Sequence, residues 1–572
     1  MLSSPSRRGS APHRQGIPRP GRGSKPVSQA EVNAVVTLYQ SGKIAAALDA
    51  ARRLARRAPD LVPLLDLQGA CLQALGDYKN ALGFFKRSLK VGGGTAIAHF
   101  NVGAALYHLF ALEEATKHLS QAVTLEPNNA RMAQTLAMSL DAQGHHMEAV
   151  QVLSSVVERG QVSDELLNML GQCLRNLGKL DEAKACHEAV TSTAEAGAQA
   201  HYNLGLIASA EGDKETARGP LEQAVEISPT LTPAHRALSN LIDYDADHPH
   251  LKSMLRLLEE ASLGTAAEIE LRFALHKALN DAKQYEAAFT QLERGNSLKK
   301  KMIGYSVENE EELFSYLKKI FARPTPVASS DLPFRPIFIV GLPRSGSTVT
   351  ERILCGAPGV TGAGELQYPT TAMFNLLKQM QTEGQSEFTE AHAQALRDAL
   401  GKAMQSHADE APVVIDKMPL NFRWVGGLLA AFPEARIVYT TRPARDMAWS
   451  LYKVGLQGSG NGFIYDMDDI IRYQTLADDL MQHWMTLFPD QIYRVDYDQL
   501  TREPEKNIRP LVDFCKLEWS EDCLHPENQK SAIRTASSQQ ARKPIYHRST
   551  PDWLPYESYL TTAFEKLDQL DI

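Results

Sequence analysis

A glycine-rich loop that carries a single arginine is the stretch of this chain best suited to chemistry. It lies in residues 335–354, RPIFIVGLPRSGSTVTERIL, between an apolar run that predicts a buried strand and a pattern that predicts a helix. A strand, a glycine loop and a helix in this order present backbone N–H groups to a phosphate-like anion. A nucleotide triphosphatase would have Lys directly after the second glycine, where this chain has Ser347. The loop is therefore predicted to bind a shorter anion, which disfavours a P-loop kinase.

The loop offers several groups that bind anions. Arg344 carries a guanidinium that can hold two oxygens at once. The remaining candidates supply backbone amides and hydroxyls in the loop and in the first turn of the predicted helix: Ser345, Gly346, Ser347 and Thr348.

Polar candidates also lie farther along this region of the chain. Lys417 ends the run PVVIDKMP and would bring a cation beside the anion loop. Arg442 follows the run ARIVYTTRP, and Ser450 lies eight residues later on a predicted helix, so both could hold a second phosphate. Glu365, in GVTGAGELQYP, is a candidate general base, although a lone Glu after a Gly is commonly a solvated loop residue or a helix cap.

A parallel sheet would bring these residues to one edge. Four short β-rich runs, PIFIVG, PVVIDKMP, ARIVYTTRP and QIYRVDYDQL, alternate with helix-length stretches over residues 334–572. This alternation predicts an α/β domain, P-loop-like, with a parallel sheet covered by helices. Ligands of such sheets bind at the carboxyl ends of the strands, where the candidates are placed.

The preceding sequence repeats with a period of 34 residues from about residue 29. A glycine series, interrupted only by Phe110, is followed five residues later by an alanine series. The two series are Gly42, Gly76, Gly144, Gly178 and Gly212, and Ala47, Ala81, Ala115, Ala149, Ala183 and Ala217. Small residues at this period indicate pairs of antiparallel helices that stack on their neighbours, which predicts an N-terminal all-α solenoid of about six units over residues 29–232.

The periodicity weakens beyond residue 232 but remains helical. Lys283 occupies the glycine position of a further unit and Ala288 the alanine position. Residues 233–302 are therefore predicted to be a divergent helical repeat that caps the solenoid. A connecting segment, 303–333, then leads to the second domain, and prolines are concentrated near its end, in residues 323–336.

Composition narrows the class of protein. With 572 residues, 43% of them hydrophobic and 22% charged, the chain is expected to form two or more ordinary globular domains. A net charge of -8 gives no general attraction for nucleic acids or membranes. The six cysteines show no C-x-x-C pair, and no apolar run approaches a membrane span, so a reducing, cytoplasmic location is expected. Residues 1–28 are predicted to be a disordered basic tail, without the apolar segment of a secretory signal.

Two family resemblances follow from these motifs. Segments such as LGDYKNALGFF and YNLGLIASAEGDKETA make residues 29–232 resemble tetratricopeptide repeats. Residues 334–572 resemble sulfotransferases that use 3'-phosphoadenosine 5'-phosphosulfate (PAPS), particularly the tyrosylprotein branch and its bacterial relatives with repeats in front. The segment GLPRSGST is similar to that branch's G-x-P-R-S-G-T-T loop, with Ser347 in place of Thr.

The resemblance implies specific roles. The loop residues from Arg344 to Thr348 would hold the 5'-phosphosulfate, and Arg442 and Ser450 the 3'-phosphate. Glu365 would be the catalytic base and Lys417 the catalytic cation. No metal is expected.

Some of these alignments leave alternatives open. The tyrosyl enzymes have G-E-E-T-R in the segment that contains Glu365, so either Glu365 or Leu366 lies opposite their base. VDYDQL matches a Y-E-Q-L segment through Tyr497, which is either a nucleotide contact or core packing. SSQQARKP is similar to the segment that closes over the nucleotide, through Ser537 and Lys543.

The activity implied is sulfuryl transfer from PAPS to a hydroxyl, with a protein or peptide tyrosine presented in the groove of the repeats. A small-molecule or glycan acceptor is the first alternative. A non-catalytic repeat scaffold with a degenerate nucleotide-binding domain is the second. The repeats themselves could instead be a spacer or a dimerisation arm, which is compatible with a homo-oligomer.

Overall fold

The structure is a computed structural model that describes residues 26–190, 194–323, 332–408, 410–456, 460–529, 544–546 and 550–569. The chain divides into two compact units, Met1–Val190 and Thr191–Ile572. The bounds predicted for the tail, the repeats, the cap and the connecting segment stay predictions.

The described part of the first unit is a series of paired helices. They are α1 to α10: Gln29–Gln40, Ile44–Ala55, Val62–Ala74, Tyr78–Gly92, Ala96–His108, Leu112–Leu125, Ala130–Ala142, His146–Glu158, Asp164–Leu177 and Leu180–Glu188. The alanines of the periodic series are fully buried where consecutive helices pack: Ala47, Ala81, Ala115, Ala149 and Ala183. The predicted all-α solenoid is confirmed.

The turns between helices explain the glycine series. Its members in this unit have a positive φ, for example 78° at Gly144, where a β-carbon is disfavoured. Phe110, which interrupts the series, has the same geometry with a φ of 58°. A second glycine position lets helices approach closely, because a β-carbon at Gly103 would lie 2.6 Å from the Leu119 side chain.

The second unit begins with further helices of the same kind. They are α11 to α17: Glu195–Glu211, Lys214–Ile227, Thr232–Ser239, Pro249–Glu260, Thr265–Asp281, Tyr285–Ile303 and Glu308–Ile320. Lys283 has a φ of 58° between α15 and α16, and Ala288 is fully buried. The repeat geometry therefore continues past the point where the sequence pattern weakens.

A parallel sheet follows in the same unit. Its strands are β1 to β5: Arg335–Gly341, Val360–Gly362, Val413–Asp416, Arg436–Thr441 and Ile492–Asp496. The order is β2-β3-β1-β4-β5, with every pairing parallel. The predicted α/β class is confirmed, and the short edge strand β2 is added to the four expected runs.

Helices cover both faces of this sheet. They are α18 to α26: Ser347–Leu354, Tyr368–Thr382, Glu390–Gln405, Val425–Ala431, Ala444–Val454, Met467–Leu487, Tyr497–Arg502, Pro504–Phe514 and Glu557–Asp568. Alternate residues of β1 enter two different cores, Phe338 and Val340 on one face, Ile337 and Ile339 on the other. The chain fills the β2–β3 side before crossing to β4, so β1 and β4 flank the switch point where such sheets bind ligands.

Within the described ranges, no helix is both long enough and apolar enough to cross a membrane.

Candidate active site

The anion loop is a tight turn that depends on residues with positive φ. The φ angle is 146° at Gly341, 74° at Arg344 and 96° at Gly346. A β-carbon at Gly341 would lie 2.4 Å from the Thr440 carbonyl oxygen, and one at Gly346 only 2.1 Å from the Tyr497 ring. The glycines therefore let the loop lie directly against β4 and the start of α24.

Arg344 links the loop after β1 to the helix that follows β4. Its Nε donates to Oγ of Ser450 on α22, 3.3 Å away. Both residues line a cavity of about 260 Å³ at this end of the sheet, together with Gly346, Ser347, Thr348, Arg442, Trp449, Lys453, Tyr497, Tyr546 and others. Apart from Ser345, the residues predicted to hold the 5'-phosphosulfate therefore line the same cavity as Arg442 and Ser450, which are predicted to hold the 3'-phosphate.

The charge of this cavity favours an anion. Burial lowers the pKa of Arg344, and the neighbouring Arg442 guanidinium lowers it further. Arg442 lies over the Tyr497 ring, 5.8 Å from its centroid, and within the described residues no carboxylate forms an ion pair with it. Two guanidiniums held near each other are stabilised by a shared negative partner.

The carboxylates that line the cavity have other partners. Asp446 accepts a hydrogen bond from Trp553 Nε1 at 2.9 Å. Asp498 pairs with Arg502 at 2.9 Å, and Asp552 pairs with Lys453 at 2.8 Å. Two of these three carboxylates are therefore paired with cations that also line the cavity, Arg502 and Lys453.

Ser345 differs from its neighbours in the loop. It is fully buried, and its Oγ shares a 2.6 Å hydrogen bond with Oγ1 of Thr440. Its backbone N–H donates to the Leu342 carbonyl oxygen at 3.3 Å. Ser345 therefore fastens the loop to β4, whereas Ser347 and Thr348 begin α18 at the cavity wall, where the first N–H groups of a helix lack intrahelical partners.

Tyr497 combines both roles considered for it. Its ring packs on Gly346 and also lines the cavity. Tyr546 lines the cavity as well, which nothing in the sequence pattern indicated. Ser537 and Lys543 lie outside the described residues.

Glu365 and Lys417 form a second group at the end of the adjacent strand β3. Lys417 Nζ lies 2.6 Å from Oε1 of Glu365. The lysine side chain is 1% exposed and the glutamate side chain 41% exposed, so the pair presents its carboxylate to solvent. Leu366, which the other alignment places opposite the base, is buried in the core and carries no group that could accept a proton. The choice between the two alignments stays a prediction.

Two further carboxylates, which the sequence did not single out as site residues, contact the segment that contains Glu365. Asp416 is fully buried and accepts hydrogen bonds from the Leu366 N–H (3.3 Å) and Asn421 Nδ2 (3.0 Å). Burial raises the pKa of Asp416 to about 8. Glu351, on α18, accepts a hydrogen bond from the Gly364 N–H at 3.2 Å. The only sequence signal for Glu351 was a charged residue one turn into the helix that follows the anion loop.

The helix that carries Ser450 is held at its C-terminal end by residues from the preceding helical segment. Arg236 donates from Nη2 to the carbonyl oxygens of Gly455 (2.7 Å) and Val454 (3.1 Å). The buried Asn296 donates from Nδ2 to the Tyr452 carbonyl oxygen at 2.9 Å. These contacts satisfy carbonyls that have no partner within α22.

Within the described ranges, no group of three or more His, Cys, Asp or Glu side chains is arranged to hold a metal ion. The expectation that no metal takes part stays a prediction.

Two family models match portions of the chain. Residues 336–521 match the model of the sulfotransferase family, and residues 135–196 and 176–231 match that of the tetratricopeptide repeat. Both resemblances predicted from the motifs are confirmed.

Individual relatives extend this result. An uncharacterized protein of Aquifex aeolicus (strain VF5) is 33% identical over 375 residues, which cover 62% of this chain and 49% of that protein. A putative protein-tyrosine sulfotransferase of Caenorhabditis briggsae is 23% identical, covering 41% of this chain and 85% of the relative. Protein-tyrosine sulfotransferase 1 of Homo sapiens is 25% identical, covering 36% and 57%. The chain thus spans about half the length of the first of these relatives.

Proposed function

We propose that this chain, which combines a sulfotransferase-family domain with tetratricopeptide repeats, transfers a sulfuryl group from PAPS to an acceptor hydroxyl. The observation that carries the proposal is the hydrogen bond from Arg344 to Ser450. This contact joins the anion loop to α22, and both elements line one cavity together with Arg442. PAPS carries two anionic groups on one nucleoside.

The residues divide the work of the reaction between them. When bound, the nucleotide supplies an activated sulfuryl group whose bond to the 5'-phosphate is the one that breaks. Arg344 and the first turn of α18 stabilise the negative charge that develops on that phosphate, and Arg442 and Ser450 hold the 3'-phosphate. Glu365 takes the proton of the acceptor hydroxyl while the oxygen of that hydroxyl attacks sulfur. Lys417 stabilises the charge that develops on the oxygen between sulfur and the 5'-phosphate.

The position of the Glu365–Lys417 pair supports this division. β3 lies next to β1 in the sheet, so the pair follows the strand adjacent to the one that carries the anion loop. The buried lysine holds the carboxylate in place, while the exposed fraction of Glu365 leaves it accessible to an acceptor.

We extend the proposal to a protein or peptide tyrosine as the acceptor, delivered by the repeats. Support comes from the protein-tyrosine sulfotransferases among the relatives and from the solenoid architecture of the first unit, which in other repeat proteins binds extended partners. Small metabolites and glycans are the competing acceptors.

Binding of adenosine 3',5'-bisphosphate tests the nucleotide assignment. Wild-type protein should show a thermal shift and a measurable Kd by calorimetry. Arg344→Ala and Arg442→Ala should each weaken binding by about 10- to 100-fold, because a hydrogen bond to a charged group is worth about 1.5–3 kcal/mol. Arg472→Ala removes an arginine that pairs with Glu308 outside the cavity, and it should bind normally. No binding by the wild type would exclude the assignment.

Transfer of label from PAPS tests the reaction and the acceptor. The protein would be incubated with labelled PAPS and separated peptide, glycan and metabolite fractions of a cell extract. Label in peptides, on an alkali-stable tyrosine ester and dependent on Glu365, is the expected result. Label confined to metabolites or glycans would overturn the tyrosine acceptor, and nucleotide binding without any transfer would indicate a non-catalytic scaffold.

A further inference from the structure

We infer that Glu351 is a positioning residue that fixes Glu365 and Lys417 at a set distance from the anion loop by holding the backbone of Gly364. This inference rests on the proposed function. Glu351 belongs neither to the residues that line the cavity nor to the Glu365–Lys417 pair. The inference gives α18 a second role, in addition to placing its N-terminus at the cavity wall.

The peptide groups of Gly364 connect three elements. Its N–H donates to Oε1 of Glu351 on α18 (3.2 Å), and its carbonyl oxygen accepts the backbone N–H of Lys417 at the end of β3 (2.9 Å). The next residue, Glu365, returns to Lys417 through the 2.6 Å side-chain contact. Glu351 is therefore linked to the backbone of Glu365 through one hydrogen bond and the peptide chain, and to the backbone of Lys417 through two hydrogen bonds.

The chain around Gly364 is shaped to meet this carboxylate. A β-carbon at Gly362 would lie 3.0 Å from Oε1 of Glu351 and 3.1 Å from Sγ of Cys355, which is closer than most β-carbon contacts in proteins. Gly364 itself has a φ of 71°, which turns its N–H towards the helix in a conformation that glycine adopts readily. The loop thus approaches α18 closely at two positions.

The carboxylate occupies an environment in which a polar group needs partners. Burial raises the pKa of Glu351, while the charge of Lys417 and the Gly364 N–H lower it. An acceptor placed in this environment costs free energy unless it is hydrogen-bonded, and the Gly364 N–H supplies that bond. A carboxylate at this point of the helix is therefore not explained by packing alone.

The geometric consequence follows from the position of Glu351 on its helix. The same α18 begins with Ser347 and Thr348 at the cavity wall and carries Glu351 one turn later. One rigid element thereby sets the spacing between the bound anion and the base. A displacement of about 1 Å in such a spacing can cost roughly 100-fold in rate.

Three substitutions separate contact from charge. Glu351→Gln keeps an oxygen that can accept from Gly364 and removes the charge. Glu351→Asp keeps the charge but is shorter by one methylene, so it cannot reach the Gly364 N–H without moving the loop. Glu351→Ala removes both, and Glu387→Gln, at an exposed loop position, is the matched control.

Kinetics with labelled PAPS give the first readout. Glu351→Asp and Glu351→Ala should lower kcat by about 10- to 100-fold with the KM for PAPS and the Kd for adenosine 3',5'-bisphosphate within about twofold of wild type. Glu351→Gln should retain kcat to within about threefold. A kcat for Glu351→Asp equal to that of wild type, or an equal loss in Glu351→Gln and Glu351→Ala, would overturn the inference.

Amide hydrogen exchange over residues 360–367 gives a second readout that needs no turnover. Exchange in this segment should be faster in Glu351→Asp and Glu351→Ala than in wild type, and unchanged in Glu351→Gln. Equal exchange in all four proteins would exclude the positioning role of Glu351 without contradicting the proposed function. If wild type neither binds the bisphosphate nor transfers label, but the variants show the expected exchange pattern, the proposed function is excluded and the positioning role is retained.

Discussion

Arg344 and Ser450 are 106 residues apart in the chain and joined by a 3.3 Å hydrogen bond. The contact links the loop after β1 to the helix after β4, on the two sides of the switch point of the sheet. Each side supplies a guanidinium to one cavity, and the Tyr497 ring lies against the loop and beneath Arg442.

This hydrogen bond should appear as energetic coupling in nucleotide binding. Arg344→Ala, Ser450→Ala and the double variant form a cycle in which the Kd for adenosine 3',5'-bisphosphate is measured by calorimetry. We expect a coupling free energy of about 0.5–3 kcal/mol, because the two groups share one partner and contact each other. Strict additivity would mean that the two side chains contribute to binding independently, which would contradict the coupling. Arg472→Ala combined with Ser450→Ala provides a distant pair that should be additive.

Gly346→Ala should abolish nucleotide binding and lower stability. The new β-carbon would overlap the Tyr497 ring, and the φ of 96° adds a conformational cost of about 1–2 kcal/mol. Gly384→Ala measures the conformational cost without the overlap, because Gly384 has a φ of 67° and a β-carbon there would have nothing within 4 Å. Thermal unfolding should show a loss in both variants, whereas only Gly346→Ala should lose the bisphosphate. Normal binding by Gly346→Ala would contradict the loop geometry.

Asp416→Asn should make the protein's stability less dependent on pH. In the folded state burial raises the pKa of Asp416 to about 8, well above the ordinary value of 3.8, so between these values unfolding releases a proton. The free energy of unfolding of wild type therefore falls as pH rises through this window, by up to about 1.4 kcal/mol per pH unit from this group. From pH 5.5 to pH 7.5, the free energy of unfolding of wild type should therefore fall relative to that of Asp416→Asn.

Denaturant unfolding at those two pH values measures this shift. Asp398→Asn, at an exposed position on α20, should show no such change between the two conditions. A constant difference between wild type and Asp416→Asn would mean that Asp416 is ionised in the folded protein.

Phe110→Gly should stabilise the first unit. Phe110 holds a φ of 58° with 86% of its surface exposed, so replacing it relieves backbone strain while removing little packing. We expect a gain of about 0.5–1 kcal/mol, because glycine is disfavoured elsewhere but preferred at this helix-ending position. Gly144→Ala, at an equivalent turn with open space around it, should lose about 1–2 kcal/mol. Opposite signs for the two variants are the diagnostic result in chemical denaturation.

The periodic part of the fold could be predicted in detail from sequence. A 34-residue spacing constrains the same turn and the same buried position in every unit, so even the exceptions Phe110 and Lys283 adopt the φ that glycine has elsewhere. The parallel sheet was also predictable from apolar runs of strand length. β2 was not, because three residues of modest burial at an edge, Val360–Gly362, carry too little apolar signal.

From sequence, only those site residues could be placed that come directly after a predicted strand. Arg344, Lys417 and Arg442 were placed by that rule, since carboxyl ends of parallel strands share one edge. The inward orientation of Ser345 towards Thr440, and the contacts of Glu351 and Asp416 with the segment around Glu365, depend on how loops fold back over long sequence separations. No local pattern encodes such contacts.

The anchoring of α22 by Arg236 and Asn296 sets a lower limit on the autonomous folding unit. A fragment cut at residue 334 would lose both donors and would also split a continuous hydrophobic core that contains Leu275 and Trp449 together. We expect such a fragment to be aggregation-prone and unable to bind the bisphosphate, and one that starts near residue 194 to remain monodisperse by size-exclusion chromatography. A recombination point placed between the predicted cap, residues 233–302, and the sheet domain would then yield products that do not fold, so the two segments would be inherited together.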